Sequence, residues 1–320
     1  MVTAAALWGV PHPPGYPLFT AIGHVFAALP LFTIPWRVHL TSALFHGGTV
    51  AAVIAATFTL TRDRVAAIAA GVALGLCGSF LLGSLYAEVF PLNDLLFACV
   101  LALGLSVRSE PDLRARRKRL RLLAVCAGIA AGHHLMFALA VPALAVLVYA
   151  PARESLRGAP GKVARLALAF LAPVGVAYLL IPLAASRSPY LSWGGVHDVD
   201  SFAQLVTRGD YGGLLHATRH PSAGSGWTRV RAFSELLLQG AGVVVLLGAT
   251  AGVAVRLRRE PAVGAALLLA VLVPGPVFAW LNALDVTAPG RLAYFERFTT
   301  MTDVSVALAF GAGVQAARAW

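Results

Sequence analysis

Long apolar segments follow one another along almost the whole chain, and they constrain its fold more than any other feature. A helix needs about 20 apolar residues to cross a hydrocarbon core about 30 Å thick. Such segments lie near 38–60, 65–84, 91–107, 166–185, 232–255, 262–282 and 298–317. Because 58% of the 320 residues are hydrophobic and only 12% are charged, too little polar surface is available for a water-soluble protein. The sequence therefore predicts an all-α, polytopic transmembrane helix bundle.

One apolar segment, from Leu120 to Ala150, is too long for a single upright helix. It would measure roughly 46 Å as one helix, and Gly132, His133 and His134 interrupt it near the middle. Two short helices meeting at the histidine pair fit a bilayer better than one steeply tilted helix. Counting both halves, the sequence predicts about nine membrane passes in a single integral membrane domain, 1–320.

Basic residues gather in one set of connectors between the apolar segments. Most of the 25 Lys and Arg residues lie in the connectors 62–64, 108–121, 153–165 and 256–259. The positive-inside rule places these connectors in the cytoplasm. The outward segments are then 1–37, 85–90, 186–231 and 283–297, of which 186–231 is the longest loop. We expect the chain in a bacterial inner membrane, with its unusual polar residues facing outside the cytoplasm.

A shorter helix is predicted between Pro17 and Pro30, within the first outward segment. Apolar residues recur there at helical spacing, Pro17 suits a first helical turn, and Pro30 stops the helix. About 12 residues reach only about 18 Å, so this helix lies in the membrane interface rather than across the bilayer.

Several functional classes are disfavoured by the sequence. The formal charge of +11 does not indicate nucleic-acid binding, because the basic residues lie between apolar runs without interleaved aromatic residues. The three cysteines lie in apolar stretches without C-x-x-C spacing and are interpreted as core residues. No histidine or carboxylate pattern has the spacing of metal ligands, so neither a metal nor a cofactor is predicted.

The first outward segment contains a proline-rich loop, PHPPGYP at 11–17. Its four prolines fix the backbone φ angle and remove hydrogen-bond donors, while Gly15 permits a turn. Such a loop can hold His12 and Tyr16 in place without being a helix or a strand. These two residues are candidates for lining a substrate site.

A carboxylate, Glu88, enters the membrane boundary in the segment YAEVFPLN at 86–93. A carboxylate there is costly unless it is paired, hydrated or used, so Glu88 is a candidate general acid, base or neighbour of a donor phosphate. Asn93, at the end of the same segment, is a candidate substrate-binding residue. The alternative for Glu88 is an interfacial glutamate stabilised by the dipole of the helix that follows Pro91.

The histidine pair is a second candidate. His133 and His134 lie at the break in the long apolar run, where an imidazole can hydrogen-bond a pyrophosphate or a sugar hydroxyl. Equally, the two side chains can bond free backbone carbonyls at a helix end. His46, alone within an apolar helix, is interpreted as a packed histidine bonded to a neighbour.

The remaining candidates lie in the last two outward loops. Trp193 stands among aromatic residues, glycine turns and carboxylates that suit a surface for a sugar or an extended peptide. The same aromatic residues equally suit an interfacial belt. Arg297 is able to pair with a lipid-linked phosphate or with its neighbour Glu296.

These residues resemble a known family. The run GVPHPPGYPL at 9–18 is the most specific part, and weaker matches continue through WRV at 36–38, SALF at 42–45, AEV at 87–89, LN at 92–93, GHH at 132–134, SWG at 192–194 and ERF at 296–298. Together they resemble the membrane family called domain of unknown function 2723. That family is similar to the GT-C glycosyltransferases and includes eukaryotic protein O-mannosyltransferases.

The resemblance implies a membrane enzyme that transfers a sugar from a polyprenyl-phosphate donor to a protein or glycan acceptor outside the cytoplasm. An Asp-x-Gly-Glu-like motif of the family normally precedes the segment that corresponds to 2–10, and the chain starts after it. We expect a start codon placed too late, or else a fragment or an inactive relative. Gly195 also replaces an Asp that the family usually has after Trp-Gly.

The leading hypothesis is therefore a GT-C-type glycosyltransferase with Glu88 as the catalytic residue. The residues expected to bind substrate are His12, Tyr16, Asn93, His133, His134, Trp193 and Arg297. Expected partners are the polyprenyl-phosphate sugar, the acceptor and membrane lipid, without nucleic acid. The rival hypotheses are a transporter or flippase of a lipid-linked or small solute, and a noncatalytic scaffold or fragment.

Overall fold

A computed structural model describes residues 1–187, 189–211 and 225–320. Within these ranges the chain is helical, and an isolated parallel bridge between Val10 and Ser192 is the β-type pairing that forms. Part of the predicted outward loop 186–231 falls outside the described residues.

The helices follow one another with short connections. They are α1 Val2–Ala6, α2 Pro17–Ala27, α3 Ile34–Thr61, α4 Arg64–Gly75, α5 Gly78–Gly83, α6 Phe90–Ser109, α7 Leu113–His133, α8 Val141–Leu156, α9 Pro160–Arg187, α10 Val199–Val206, α11 Gly226–Ala241, α12 Val243–Arg259, α13 Pro261–Leu272, α14 Phe278–Leu281, α15 Arg291–Glu296 and α16 Thr300–Arg318. A 3₁₀ segment, Leu135–Ala140, leads into α8, and a π-helical segment, Val273–Val277, joins α13 to α14.

Five helical stretches in the described part of the chain are long and apolar enough to cross a membrane. They are Ile34–Thr61, Phe90–Ser109, Leu135–Leu156, Pro160–Arg187 and Pro261–Leu281. The pair α11 and α12 makes a sixth if it is counted as one broken span. The prediction of an all-α, polytopic membrane bundle is confirmed, whereas these five or six stretches differ from the nine passes expected.

Two of the predicted spans are broken in the structure, and a third is covered by protein. The segment 232–255 is not one straight helix, because Gly242 at φ +79° separates α11 from α12 and the two diverge by 103°. The segment 65–84 is divided at Cys77, whose extended backbone ends one helix and precedes the next. The segment 298–317 forms α16, which packs against α3, α4 and α12 and is largely buried inside the protein.

The long run 120–150 breaks where the sequence predicted. Helix α7 ends at His133, and His134 adopts an extended conformation at φ −147° and ψ 135°. The chain then turns through Leu135–Ala140 before α8 begins at Val141. The helix α2 also begins at Pro17 and ends before Pro30, as its sequence predicted.

Close helix contacts depend on glycine. A Cβ added at Gly128 of α7 would lie 2.1 Å from the carbonyl oxygen of Phe170 in α9. A Cβ at Gly132, one turn further, would lie 2.7 Å from the Cβ of Ala177. The backbones of α7 and α9 therefore touch near the end of α7 that carries the histidine pair, as small residues permit in membrane bundles.

We expect the substitution Gly128→Ala to destabilise the protein, although alanine favours helix more than glycine does. The new methyl group meets a backbone carbonyl that cannot rotate away, so overpacking should cost about 1–3 kcal/mol. Thermal unfolding in detergent measures the effect. Gly175→Ala in α9 is the matched control, because a Cβ there has nothing within 4 Å; equal melting temperatures for the two variants would contradict the prediction.

Candidate functional site

The proline-rich loop is anchored to the loop that carries Trp193. The backbone N–H of Val10 donates to the carbonyl oxygen of Leu191 at 2.7 Å, and the N–H of Trp193 donates to the carbonyl oxygen of Val10 at 3.0 Å. Gly9 is needed for this approach, since a Cβ there would lie 2.6 Å from the Leu191 oxygen. Two loops that are far apart in sequence thus become one surface.

Aromatic and imidazole rings from four parts of the chain meet at this surface. We call His12, Tyr16, Phe90, His134 and Trp193 the ring cluster. The ring of Tyr16 stacks on that of His134 with centroids 5.3 Å apart. The ring of Phe90 also lies 5.3 Å from that of His134. His12 approaches Tyr16 edge-on at 5.2 Å and Trp193 at 6.3 Å.

The ring cluster is graded by depth. His12 and Trp193 are exposed, whereas Tyr16 and His134 are buried. Burial raises the pKa of Tyr16, which lies outside the candidate spans, to about 12; Arg208 and Arg297 oppose this shift, and Glu88 adds to it. The phenol of Tyr16 is therefore neutral at ordinary pH, and charges of both signs lie near it.

Glu88 and Arg297 form an ion pair beside the ring cluster. The Nη1 of Arg297 lies 2.9 Å from the Oε1 of Glu88, and the two side chains remain 33% and 28% exposed, respectively. The guanidinium also lies 5.9 Å from the centre of the Phe90 ring and 5.0 Å from that of Tyr294. Because both partners are partly accessible, an incoming phosphate or hydroxyl group has access to them.

The backbone around Glu88 is held by α3 and α7. The N–H of Glu88 donates to the hydroxyl of Ser42 at 3.4 Å. The ring of His133, which is buried, lies with Nε2 2.9 Å from the carbonyl oxygen of Val89, so an Nε2–H tautomer donates to it. His133 thus fastens the end of α7 to the start of α6.

The two histidines therefore have different positions. His133 hydrogen-bonds a backbone carbonyl, which is the kind of partner that the alternative to substrate binding gave for this histidine pair. His134 accepts the N–H of Met136 at Nδ1 with a distance of 3.0 Å, which caps the 3₁₀ segment, while its ring takes part in the ring cluster.

The side chain of Asn93 makes no described hydrogen bond to the other candidates. It is buried one turn into α6, and its side-chain nitrogen lies 3.9 Å from the sulfur of Met301. This side-chain contact lies in the packing between α6 and α16, while the backbone N–H of Asn93 donates to the carbonyl oxygen of Val89 at 3.3 Å.

The loop beyond Trp193 contributes more polar groups than the sequence analysis selected. The Nε1–H of Trp193 donates to the carboxylate of Asp210 at 2.7 Å, and the amide of Gln204 donates to the same group at 3.0 Å. The hydrogen bond from Gln204 has the larger effect and that from Trp193 the smaller, and both lower the pKa of Asp210. Arg208 lies 5.3 Å from the centre of the Tyr211 ring and supplies a second cation near Tyr16.

The sequence predicted only one member, His46, of a buried polar network that also contains Asp94, Ser79 and Asp303. The Nε2 of His46 lies 3.3 Å from the carboxylate of Asp94, and its ring stacks on that of Phe80 with centroids 3.8 Å apart. His46 was interpreted as a packed histidine bonded to a neighbour, and this contact agrees with that. Asp303 of α16 accepts a hydrogen bond from Ser79 at 2.7 Å. The available signal was the presence of Asp94 and Asp303 inside apolar helices, where a carboxylate is costly. Among the described residues, no group of three or more His, Cys, Asp or Glu side chains is arranged to hold a metal ion.

Comparison with known sequences relates the chain to protein O-mannosyl-transferases. Residues 1–157 match the family model described as the N-terminal domain of protein O-mannosyl-transferase TMEM260. The chain is 24% identical over 319 residues to protein O-mannosyl-transferase TMEM260 of Mus musculus, covering 98% of this chain and 45% of the relative. It is 22% identical over 341 residues to that of Dictyostelium discoideum, covering 98% and 41%. The chain thus spans less than half the length of these curated relatives.

Comparison with solved structures identifies the fold. ArnT from Cupriavidus metallidurans bound to undecaprenyl phosphate superposes with a TM-score of 0.61 at 18% sequence identity, covering 96% of this chain and 50% of ArnT. The apo state of the same protein gives a TM-score of 0.60 at 16% identity, covering 97% and 50%. ArnT is a GT-C-fold glycosyltransferase, and the likeness shows a GT-C-like fold for this integral membrane protein.

The buried phenol of Tyr16 provides a pH prediction. Its pKa in the folded protein is about 12 against an ordinary value of 10.0, so the stability that it contributes is present below pH 10 and is lost as the pH rises toward 12. The phenolate absorbance of the native protein minus that of Tyr16→Phe should therefore stay flat through pH 10 and rise only near 12. A component that titrates near 10 in the native protein and is missing from the variant would contradict this.

Proposed function

We propose that the protein is a membrane glycosyltransferase that transfers a sugar from a polyprenyl-phosphate donor to an acceptor outside the cytoplasm, with protein O-mannosylation as the form of this reaction. The observation that carries the proposal is the accessible Glu88–Arg297 ion pair beside the ring cluster. The names of the relatives and the undecaprenyl phosphate bound to ArnT support the same reaction and donor class.

In this reaction Arg297 binds the donor phosphate. A guanidinium forms charge-assisted, often bidentate hydrogen bonds with phosphate oxygens, and these strengthen as the leaving group gains charge. Arg208 adds a second positive charge near Tyr16. When Arg297 turns to the phosphate, Glu88 loses its partner and becomes free to accept a proton.

Glu88 then acts as the general base. The acceptor hydroxyl oxygen attacks the anomeric carbon, the bond from that carbon to the phosphate oxygen breaks, and polyprenyl phosphate leaves with the bonding electrons. The hydroxyl proton passes to the Glu88 carboxylate, which must lie within hydrogen-bond reach of it. The hydrogen bond from the Glu88 N–H to Ser42 and the His133–Val89 bond hold this segment in place.

The ring cluster binds the sugar and the acceptor. Exposed His12 and Trp193 offer ring faces and N–H groups at the surface, while Tyr16 and His134 form the floor. Aromatic faces pack against the C–H face of a sugar, and neutral imidazole and phenol groups hydrogen-bond its hydroxyls. Asn93 and His133 support this floor from within the bundle.

The proposal includes the location and family of the protein. The ring cluster would face outside the cytoplasm of a bacterial inner membrane, since the basic connectors lie at the other end of the bundle. The GVPHPPGYPL run likewise supports membership of the domain of unknown function 2723 family.

The substitution Glu88→Gln tests the general base. It keeps the size and removes the proton acceptor, so transfer from a radiolabelled polyprenyl-phosphate mannose in membranes that contain the protein should fall about 10²–10⁴-fold. Binding of the labelled donor should persist. Glu235→Gln is the control, because Glu235 belongs to an exposed ion pair with Arg231 and retains no link to the ring cluster among the described hydrogen bonds.

Unchanged transfer by Glu88→Gln would remove Glu88 from the mechanism. Absence of both donor binding and transfer in the unaltered protein would remove the glycosyltransferase proposal itself. Uptake of a solute into vesicles without modification of any acceptor would instead favour the transporter hypothesis.

The substitution Arg297→Gln tests phosphate binding. Loss of a charge-assisted hydrogen bond costs about 1.5–3 kcal/mol, so donor affinity should fall roughly tenfold to a hundredfold. The measurement is competition between unlabelled polyprenyl phosphate and the labelled donor, with Arg231→Gln as the control. Equal affinities for Arg297→Gln and the unaltered protein would exclude this role.

A further inference from the structure

A second concave, charged site lies at the other end of α7, far from the ring cluster. Five cations surround a cavity of about 330 Å³ between the start of α7, the end of α8 and the start of α9: Arg114, Arg117, Arg121, Lys162 and Arg165. We call it the basic pocket. Arg114 and His133 are separated by almost the whole of α7, which corresponds to about 28 Å of helix.

The cations of the basic pocket are not neutralised by neighbouring carboxylates. In the same stretch of α7, Arg116 pairs with Glu154 and Arg119 pairs with Glu110. Among the residues that the structure describes, no ion pair involves a cation of the basic pocket, and its lining contains no acidic side chain. The two faces of α7 therefore differ. The arginines on one face form ion pairs with glutamates, and those on the face toward the basic pocket form no described ion pair.

Helical spacing produces this convergence. Arg114, Arg117 and Arg121 recur at intervals of three and four residues and so share one face of α7. Lys162 and Arg165, three residues apart, share the facing side of α9. Like charges held this close repel one another, and an anion between them would relieve that repulsion.

The floor of the basic pocket is apolar. Leu120, Leu156 and Leu166 line it beneath the cations. Near Gly128 and Gly132 the helices α7 and α9 touch, whereas at this end the cavity lies between them. Only 11% of the apolar stretch of α9 is buried inside the protein, so the pocket adjoins a surface that faces lipid.

We propose that the basic pocket binds the phosphate headgroup of an anionic phospholipid of the adjoining leaflet. The cations hold the phosphodiester, and the leucine floor with the exposed face of α9 accepts the glycerol backbone and the first methylenes of the acyl chains. A free phosphate ion would use only the cations and leave the leucine floor uncovered, which is the reason for assigning a lipid. The proposal does not depend on the transfer reaction at the ring cluster.

Native mass spectrometry of the protein tests the assignment. The protein is released from vesicles that contain equal amounts of phosphatidylglycerol and phosphatidylcholine, and the retained lipids are counted. The unaltered protein should retain phosphatidylglycerol preferentially. Because each cation near an anionic surface contributes about 1 kcal/mol, Lys162→Gln combined with Arg165→Gln should lower this retention about tenfold or more.

The matched control is Arg258→Gln combined with Arg259→Gln. These two arginines are exposed and lie outside the basic pocket. They belong to another of the basic connectors, 256–259, which the sequence assigns to the same side of the membrane. Retention in this control should equal that of the unaltered protein. An equal loss in both double variants would mean unspecific surface attraction and would overturn the proposal, as would unchanged retention in the Lys162 and Arg165 variant.

Two further arms make every outcome decisive. If the Lys162 and Arg165 variant does not elute as a folded protein, Arg114→Gln combined with Arg121→Gln, both exposed, replaces it with the same expectation. A lipid-free sample in detergent receives inorganic phosphate instead. A phosphate adduct that the variant loses, together with equal retention of the two lipids, would assign the pocket to a soluble phosphate and overturn the lipid proposal.

Discussion

The hydrogen bond between His133 and the carbonyl oxygen of Val89 is the contact on which the geometry of the site depends. It joins the end of α7 to the residue before α6, and Val89 itself stands between Glu88 and Phe90. A buried imidazole needs a partner, and the carbonyl oxygen of Val89, which already accepts the N–H of Asn93, has a second lone pair for it. With α7 ending there, the next residue, His134, places its ring between Tyr16 and Phe90. One bond thus sets the positions of the ring cluster and of the carboxylate.

The two ends of the bundle carry charge in different ways. At the end with the ring cluster, Arg297 is matched by a carboxylate that is itself accessible. At the opposite end, several cations surround the basic pocket, and among the described residues none of them has an acidic partner. Between them, one carboxylate oxygen of Asp94 lies 3.3 Å from His46 and one of Asp303 accepts from the hydroxyl of Ser79, while the other oxygen of each has no described hydrogen-bond partner. Accessible charge is therefore placed at the ends, and each of these two buried carboxylates is bonded to protein through one of its oxygens.

Much of the fold followed from the sequence because hydrophobic segment length is a local property. The all-α membrane bundle, the break at the histidine pair and the helix that starts at Pro17 needed only apolar runs and the conformational limits of proline and glycine. Straight single helices over 65–84 and 232–255 did not form, because hydropathy does not distinguish a straight helix from two helices separated at Cys77 or Gly242. Burial of α16 among other helices was equally invisible to a composition window.

For the candidate site, the sequence alone determined the residue types and their end of the bundle: a stiff loop with His12 and Tyr16, a carboxylate at a membrane boundary, and a cation before the last helix. Only the tertiary structure decided which of them meet. It paired Glu88 with Arg297 across more than two hundred residues, brought Trp193 to the proline-rich loop through Val10, and left Asn93 within the packing. The reason is physical: periodicity and hydropathy report how a residue relates to its neighbours in the chain and to the solvent, whereas contacts between distant segments depend on helix packing, which is fixed by close approaches such as that of Gly128 to Phe170.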